Sequence, residues 1–116
     1  MFLTVWMACV TENNVALKVT TTLCSRYEEC DKGSFEANYN DQQDCVDSTE
    51  PTFRDYYDCL SSECEFSQQN ANACISGYAG QSCEDVSDGK APSECDAVYE
   101  GCSDAAIAAC ALDAAF

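Results

Sequence analysis

Thiols are the residues with the most chemistry to offer in this 116-residue chain. It holds eleven cysteines, ten between Cys24 and Cys110 and one, Cys9, in an apolar leader. Thiols ligate zinc, hold iron–sulfur clusters, attach haem, cycle through redox states or close disulfides. All but the last of these usually draw on close Cys-x-x-Cys pairs, and histidine often joins them. The chain has neither, and its closest cysteines are Cys59 and Cys64. The reading is therefore disulfide bonding of Cys24, Cys30, Cys45, Cys59, Cys64, Cys74, Cys83, Cys95, Cys102 and Cys110, with no metal or cofactor site. Disulfides persist in oxidising compartments, so the expected location is extracytoplasmic: secreted, cell surface or extracellular matrix.

Other chemistry has weaker footing. Without histidine, acid–base work would fall to carboxylates, tyrosines or the three lysines. Pairs such as Glu28 with Glu29, or Asp55 with Asp58, are available. With 21 acidic residues such pairs carry little information, and a solvated face is the default. No Gly-x-Ser-x-Gly elbow and no Asn-x-Ser/Thr acceptor occurs. No enzymatic activity is expected. Asp85, Asp88, Glu94 and Asp96 surround a glycine turn and offer oxygen ligands for weak calcium binding, although not at EF-hand spacing. Five basic residues leave a net charge of −16, which repels nucleic acid and anionic lipid and favours cationic or uncharged partners.

The elements that must position the cysteines read as mainly α. Val15, Val19, Leu23, Tyr27 and Cys30 recur at helical spacing and predict a helix over 14–30 closed by Gly33, with Thr20, Thr21 and Thr22 opposing it. Asp41 caps a short second helix carrying Cys45, and Pro51 sits near the start of a third with Phe53, Tyr56, Tyr57, Leu60 and Cys64 on one face. A fourth runs from Asn70 or Asn72 through Tyr78 to Cys83, weakened by Gly77 and Gly80. Asp85 to Ala91 is a turn. Pro92 opens a last helix in which Cys95, Val98, Tyr99, Cys102, Ala106, Ala109 and Cys110 repeat at three and four residues.

Along a helix, cysteines five or more apart are separated by roughly 7.5 Å, while a disulfide needs Cα atoms closer than about 7 Å. Helices so placed forbid bonds from Cys24 to Cys30, Cys59 to Cys64 and Cys74 to Cys83, so the bridges run between elements. About 945 connectivities of ten cysteines exist, and spacing does not choose among them. The expected architecture is a small disulfide-rich bundle of about four to five short helices. Residues 1–10 form an apolar leader or assembly arm, and 11–116 form a single disulfide-stabilised helical domain.

The stretches CSRYEEC (Cys24 to Cys30), DQQDCV (Asp41 to Val46), NANACISGYAGQSCEDV (Asn70 to Val86) and APSECDAVYEGC (Ala91 to Cys102) carry a resemblance. In their order and in the final Pro-x-x-Cys, the chain resembles small cysteine-rich lipoprotein-like and secreted proteins of myxobacteria and related bacteria. Cys59 and Cys64 are additions to that pattern. The resemblance implies an α-helical extracytoplasmic domain and no reaction.

Cys9 carries the functional question. MFLTVWMACV resembles the end of an export signal but lacks a basic start, and Ala8-Cys9 resembles the lipid-modified junction of bacterial lipoproteins, with Trp6 and Met7 departing from it. An odd cysteine in an exported chain is an intermolecular bond, a free thiol or a lipid anchor. The first expectation is a non-enzymatic structural protein that self-associates into an oligomer or filament through the arm, Cys9 and the alanine-rich tail. The alternative is a lipid-anchored or secreted monomeric binding module for a cationic or uncharged partner, reaching a membrane only through a lipid anchor or retained leader.

Overall fold

The computed structural model describes residues 9–113, with side chains through residue 110. The apolar stretch Met1–Ala8 and the end of the alanine-rich tail lie outside the described residues. Among the described residues there are six helices, α1 (Val15–Cys30), α2 (Lys32–Asn38), α3 (Gln42–Ser61), α4 (Gln68–Ala79), α5 (Cys83–Ser87) and α6 (Asp104–Asp113). A 3-10 helix, Ser93–Ala97, and two short strands, β1 (Glu65–Phe66) and β2 (Tyr99–Glu100), complete a mainly α, disulfide-rich fold.

Helix α1 tolerates its threonines because they bond back to the helix. Thr20 Oγ1 donates to the Ala16 carbonyl at 2.7 Å and Thr22 Oγ1 to that of Lys18 at 2.9 Å, so the fully buried Thr20 hydroxyl is satisfied. Gly33 does not close this helix. The chain turns at Asp31, whose side chain accepts from Ser34 N and caps α2, and Gly33 lies inside α2.

Asp41 caps α3 by accepting from Asp44 N at 2.8 Å. The expected second and third helices are one, running through Pro51. A proline there removes a backbone hydrogen bond and crowds the Asp47 carbonyl. Both halves are nevertheless fixed from outside, Cys45 to Cys24 on α1 and Cys59 to Cys110 on α6. Cys64 falls beyond the helix, at the edge of β1.

The expected fourth helix starts earlier, under a Ser67 cap, and stops at Ala79; Cys83 opens α5 under a Ser82 cap. The expected last helix is broken into the 3-10 helix, β2 and α6. Gly101 turns the chain at φ +75°, a conformation that costs glycine little, and Ser103 Oγ accepts from Ala106 N at 3.1 Å to restart it. Strands β1 and β2 pair antiparallel, with Glu65 opposite Glu100 and Phe66 opposite Tyr99. Like charges directly opposed disfavour such a ladder. The Cys64–Cys102 bridge and the Phe66–Tyr99 ring contact, at 5.6 Å between centroids, hold it.

Two cores result. The larger joins Val10, Val15 and Val19 to Tyr57, Leu60, Cys74, Tyr78, Val98 and Tyr99. The smaller gathers Phe35, Val46 and the Cys24–Cys45 bridge, with Tyr27 and Tyr39 against it. In α4, a Cβ on Gly77 would meet Pro92 Cβ at 2.7 Å, so this glycine lets the 3-10 segment lie against the helix, close to the Cys74–Cys95 bridge.

Gly77→Ala should therefore cost about 1–3 kcal/mol by overpacking despite its better helix propensity. Gly33→Ala, which meets nothing within 4 Å, should stabilise by about 0.5–1 kcal/mol. Urea denaturation distinguishes them; equal gains from both would remove the close approach as the reason for Gly77.

Candidate functional site

Ten of the cysteines form five bridges, each between different elements: Cys24–Cys45, Cys30–Cys83, Cys59–Cys110, Cys64–Cys102 and Cys74–Cys95. Their Cα separations run from 4.5 Å for Cys74–Cys95 to 6.1 Å for Cys24–Cys45. Cys24, Cys45, Cys74 and Cys110 are buried. Cys30–Cys83 is the outermost, with Cys83 exposed.

Cys9 is free and exposed. The chain immediately after it is seated firmly. Val10 is fully buried in the larger core, so the last residue of the 1–10 stretch belongs to the domain. Gln68 Nε2 donates to the Val10 carbonyl at 2.9 Å, and the Tyr99 hydroxyl donates to Glu12 Oε2 at 2.9 Å. The Cys9 thiol is thus presented one residue outside a fixed segment. Neither anchor was visible in the sequence, because partners 58 and 87 residues apart leave no local pattern.

The carboxylates singled out for acid–base or calcium chemistry are spent elsewhere or dispersed. Glu28 accepts from Gln42 Nε2 at 2.7 Å and Glu29 pairs with Arg26 at 3.2 Å. Asp55 and Asp58 lie exposed on α3. Asp85 lies 3.8 Å from the Lys90 ammonium, Asp88 ends α5, and Glu94 and Asp96 are exposed on the 3-10 helix. Among the described residues no three such groups are placed together to hold a metal ion.

Four phenols are shifted upward. For Tyr57 burial is the main cause, followed by Tyr78 and Tyr56; for Tyr99 burial is followed by the hydrogen bond to Glu12 and its charge. Burial and then Asp96 raise Tyr56, and burial raises Tyr78.

Compared with protein families, curated proteins and solved structures, the chain matches none. The five bridges point to an oxidising, extracytoplasmic environment. Among the described residues no helix is long and apolar enough to cross a membrane.

A raised phenol keeps its proton better in the folded chain. Its stabilising contribution is complete below the unfolded tyrosine pKa of about 10 and is lost as pH rises past it. Tyrosinate absorbance from Tyr57 and Tyr99 should appear only together with loss of near-UV circular dichroism. Reversible ionisation of every tyrosine in folded protein would contradict this.

Replacing Cys30 and Cys83 together by serine should cost about 2–4 kcal/mol and accelerate amide exchange in residues 81–91 before any other segment. Uniform acceleration would show instead that this bridge supports the whole fold.

Proposed function

We propose that this chain is a non-enzymatic extracytoplasmic structural domain that self-associates through Cys9. The observation that carries the reading is the exposed free thiol beside a fully buried Val10, while the other ten cysteines are bonded to one another. A fixed neighbour lowers the ordering cost of an intermolecular bond. A second feature supports self-association. The surface between α1 and α4 lined by Leu17, Lys18, Thr21, Thr22, Asn72, Ile75 and Ser76 carries one cation, Lys18, and no carboxylate among the described residues, and Leu17 is 48% exposed in the first turn of α1. Two chains of net charge −16 repel least where such faces meet.

Burial of Val10 favours a protein partner over a lipid on the same thiol. An acyl anchor on Cys9 would leave no slack before the domain and would hold an acidic chain against anionic headgroups. A monomeric binding module for an uncharged or cationic partner is the second reading, favoured by a concavity between the two cores. Kinship with the small cysteine-rich secreted proteins of myxobacteria and related bacteria is part of the proposal and rests on the order of the four cysteine motifs.

Native material should run under non-reducing conditions as a covalent dimer of the 12.6 kDa chain, and the Cys9→Ser variant should be a folded species without that covalent link. Removing residues 1–9 while keeping Val10 should likewise leave a folded domain that no longer crosslinks. A native monomer beginning at an acylated Cys9, or a multimer unchanged by Cys9→Ser, would overturn the assignment.

A further inference from the structure

Between the two cores lies a cleft of about 730 Å³, within the range of small-molecule sites. Leu23 of α1, Phe53 and Tyr56 of α3, Tyr78 of α4, Tyr39 and Val86 give it apolar walls. Ser48, Thr49 and Thr52, hydroxyl-bearing residues on the same stretch of α3, also line it. It continues into a smaller lobe of about 370 Å³ beside Tyr27 and the Cys24–Cys45 bridge, sharing Leu23, Tyr39, Thr49, Val86 and Gly89.

The outer wall is held in place rather than packed. Helix α5 has no buried residue, so apolar burial does not explain its position. Polar and covalent ties do. Cys83 is bonded to Cys30, Arg26 donates twice to the Gln81 carbonyl at 2.9 and 2.6 Å, and Gln81 Nε2 donates to the Lys90 carbonyl at 2.6 Å. A turn at Gly89, φ +72°, brings Lys90 N to the Asp85 carbonyl at 3.0 Å. These ties keep 81–91 standing over the opening, so the space is a pre-formed site.

Its charge defines what it takes. The chain carries −16, yet among the described residues the larger lobe is lined by no carboxylate and by one cation, Lys90, which is offset by Asp85 at 3.8 Å. An ion gains little there, whereas an apolar body loses its water contact against the aromatic and aliphatic walls. We propose that this cleft binds an uncharged small molecule with an apolar body, seated between Phe53, Tyr56 and Tyr78 on one side and Leu23 and Val86 on the other, and a hydroxyl or carbonyl edge facing Ser48, Thr49 and Thr52. The site is independent of Cys9.

The test titrates the disulfide-intact full chain, and its Cys9→Ser variant, with the neutral dye Nile red and the anionic dye 1-anilinonaphthalene-8-sulfonate. Nile red should bind saturably and equally to both chains. Thr52→Trp, filling the cleft from α3, and Val86→Trp, filling it from the outer wall, should each weaken binding about tenfold or more, while Lys90→Gln changes it less than about twofold. Near-UV circular dichroism and retention of the five intrachain bridges by mass analysis certify that each variant is folded. Absence of saturable Nile red binding, indifference to both tryptophan variants, or preference for the anionic dye that disappears in Lys90→Gln would overturn the proposal. Loss of binding in Cys9→Ser alone would place the dye at the self-association interface and equally overturn it.

Discussion

Cys24 on α1 and Cys45 on α3 are bonded with their Cα atoms 6.1 Å apart, and the link fixes how the two longest helices lie along one another. From that register Val15 and Val19 meet Tyr57 and Leu60 in the larger core, while Phe35 and Val46 close around the bridge in the smaller one. Helix α1 extends the constraint through Cys30 to Cys83 and through Arg26 to Gln81, so the segment after α4 is set by the same helix. A small chain leaves a larger share of its surface exposed, and covalent closure then restricts the unfolded chain where burial is limited.

The helical class, the α1 periodicity and the Asp41 cap were legible because each rests on local spacing or on one side chain meeting a backbone three residues away. What escaped local reading depended on distant partners. Pro51 marks a helix start in isolation, but two bridges to other helices carry α3 through it. Gly77 looks like a weakness until Pro92 is placed 2.7 Å from its missing Cβ. The three- and four-residue repeat after Pro92 is consistent with a helix, yet Val98 and Tyr99 are buried from a short segment and Gly101 breaks the run. For the same reason the cysteine partners lay beyond spacing arguments. Those arguments exclude pairs along a helix but do not say which helices meet.

The candidate sites divide along similar lines. Cys9 stood out by count alone, whereas its fixed presentation depends on Val10, Gln68 and the Glu12–Tyr99 contact. The cleft had no sequence signature, since Phe53 and Tyr56 follow the same stripe as core-forming Tyr57 and Leu60. Only the placement of α5 on its own covalent and polar ties separates an open wall from a closed core.

The bridge pattern has a consequence for how the molecule comes into being. No bond joins two cysteines that are consecutive in the chain: Cys24 passes over Cys30, Cys74 passes over Cys83, and Cys59–Cys110 encloses Cys64–Cys102, which encloses Cys74–Cys95. Cys30–Cys83 crosses all four others. If thiols oxidise in the order in which a translocating chain delivers them, they meet the wrong neighbours first. Reaching the native set then requires reshuffling by thiolate attack on mispaired bonds. On that route maturation depends on isomerising disulfides as well as making them, and Cys9 is the one cysteine among the described residues left outside the final set.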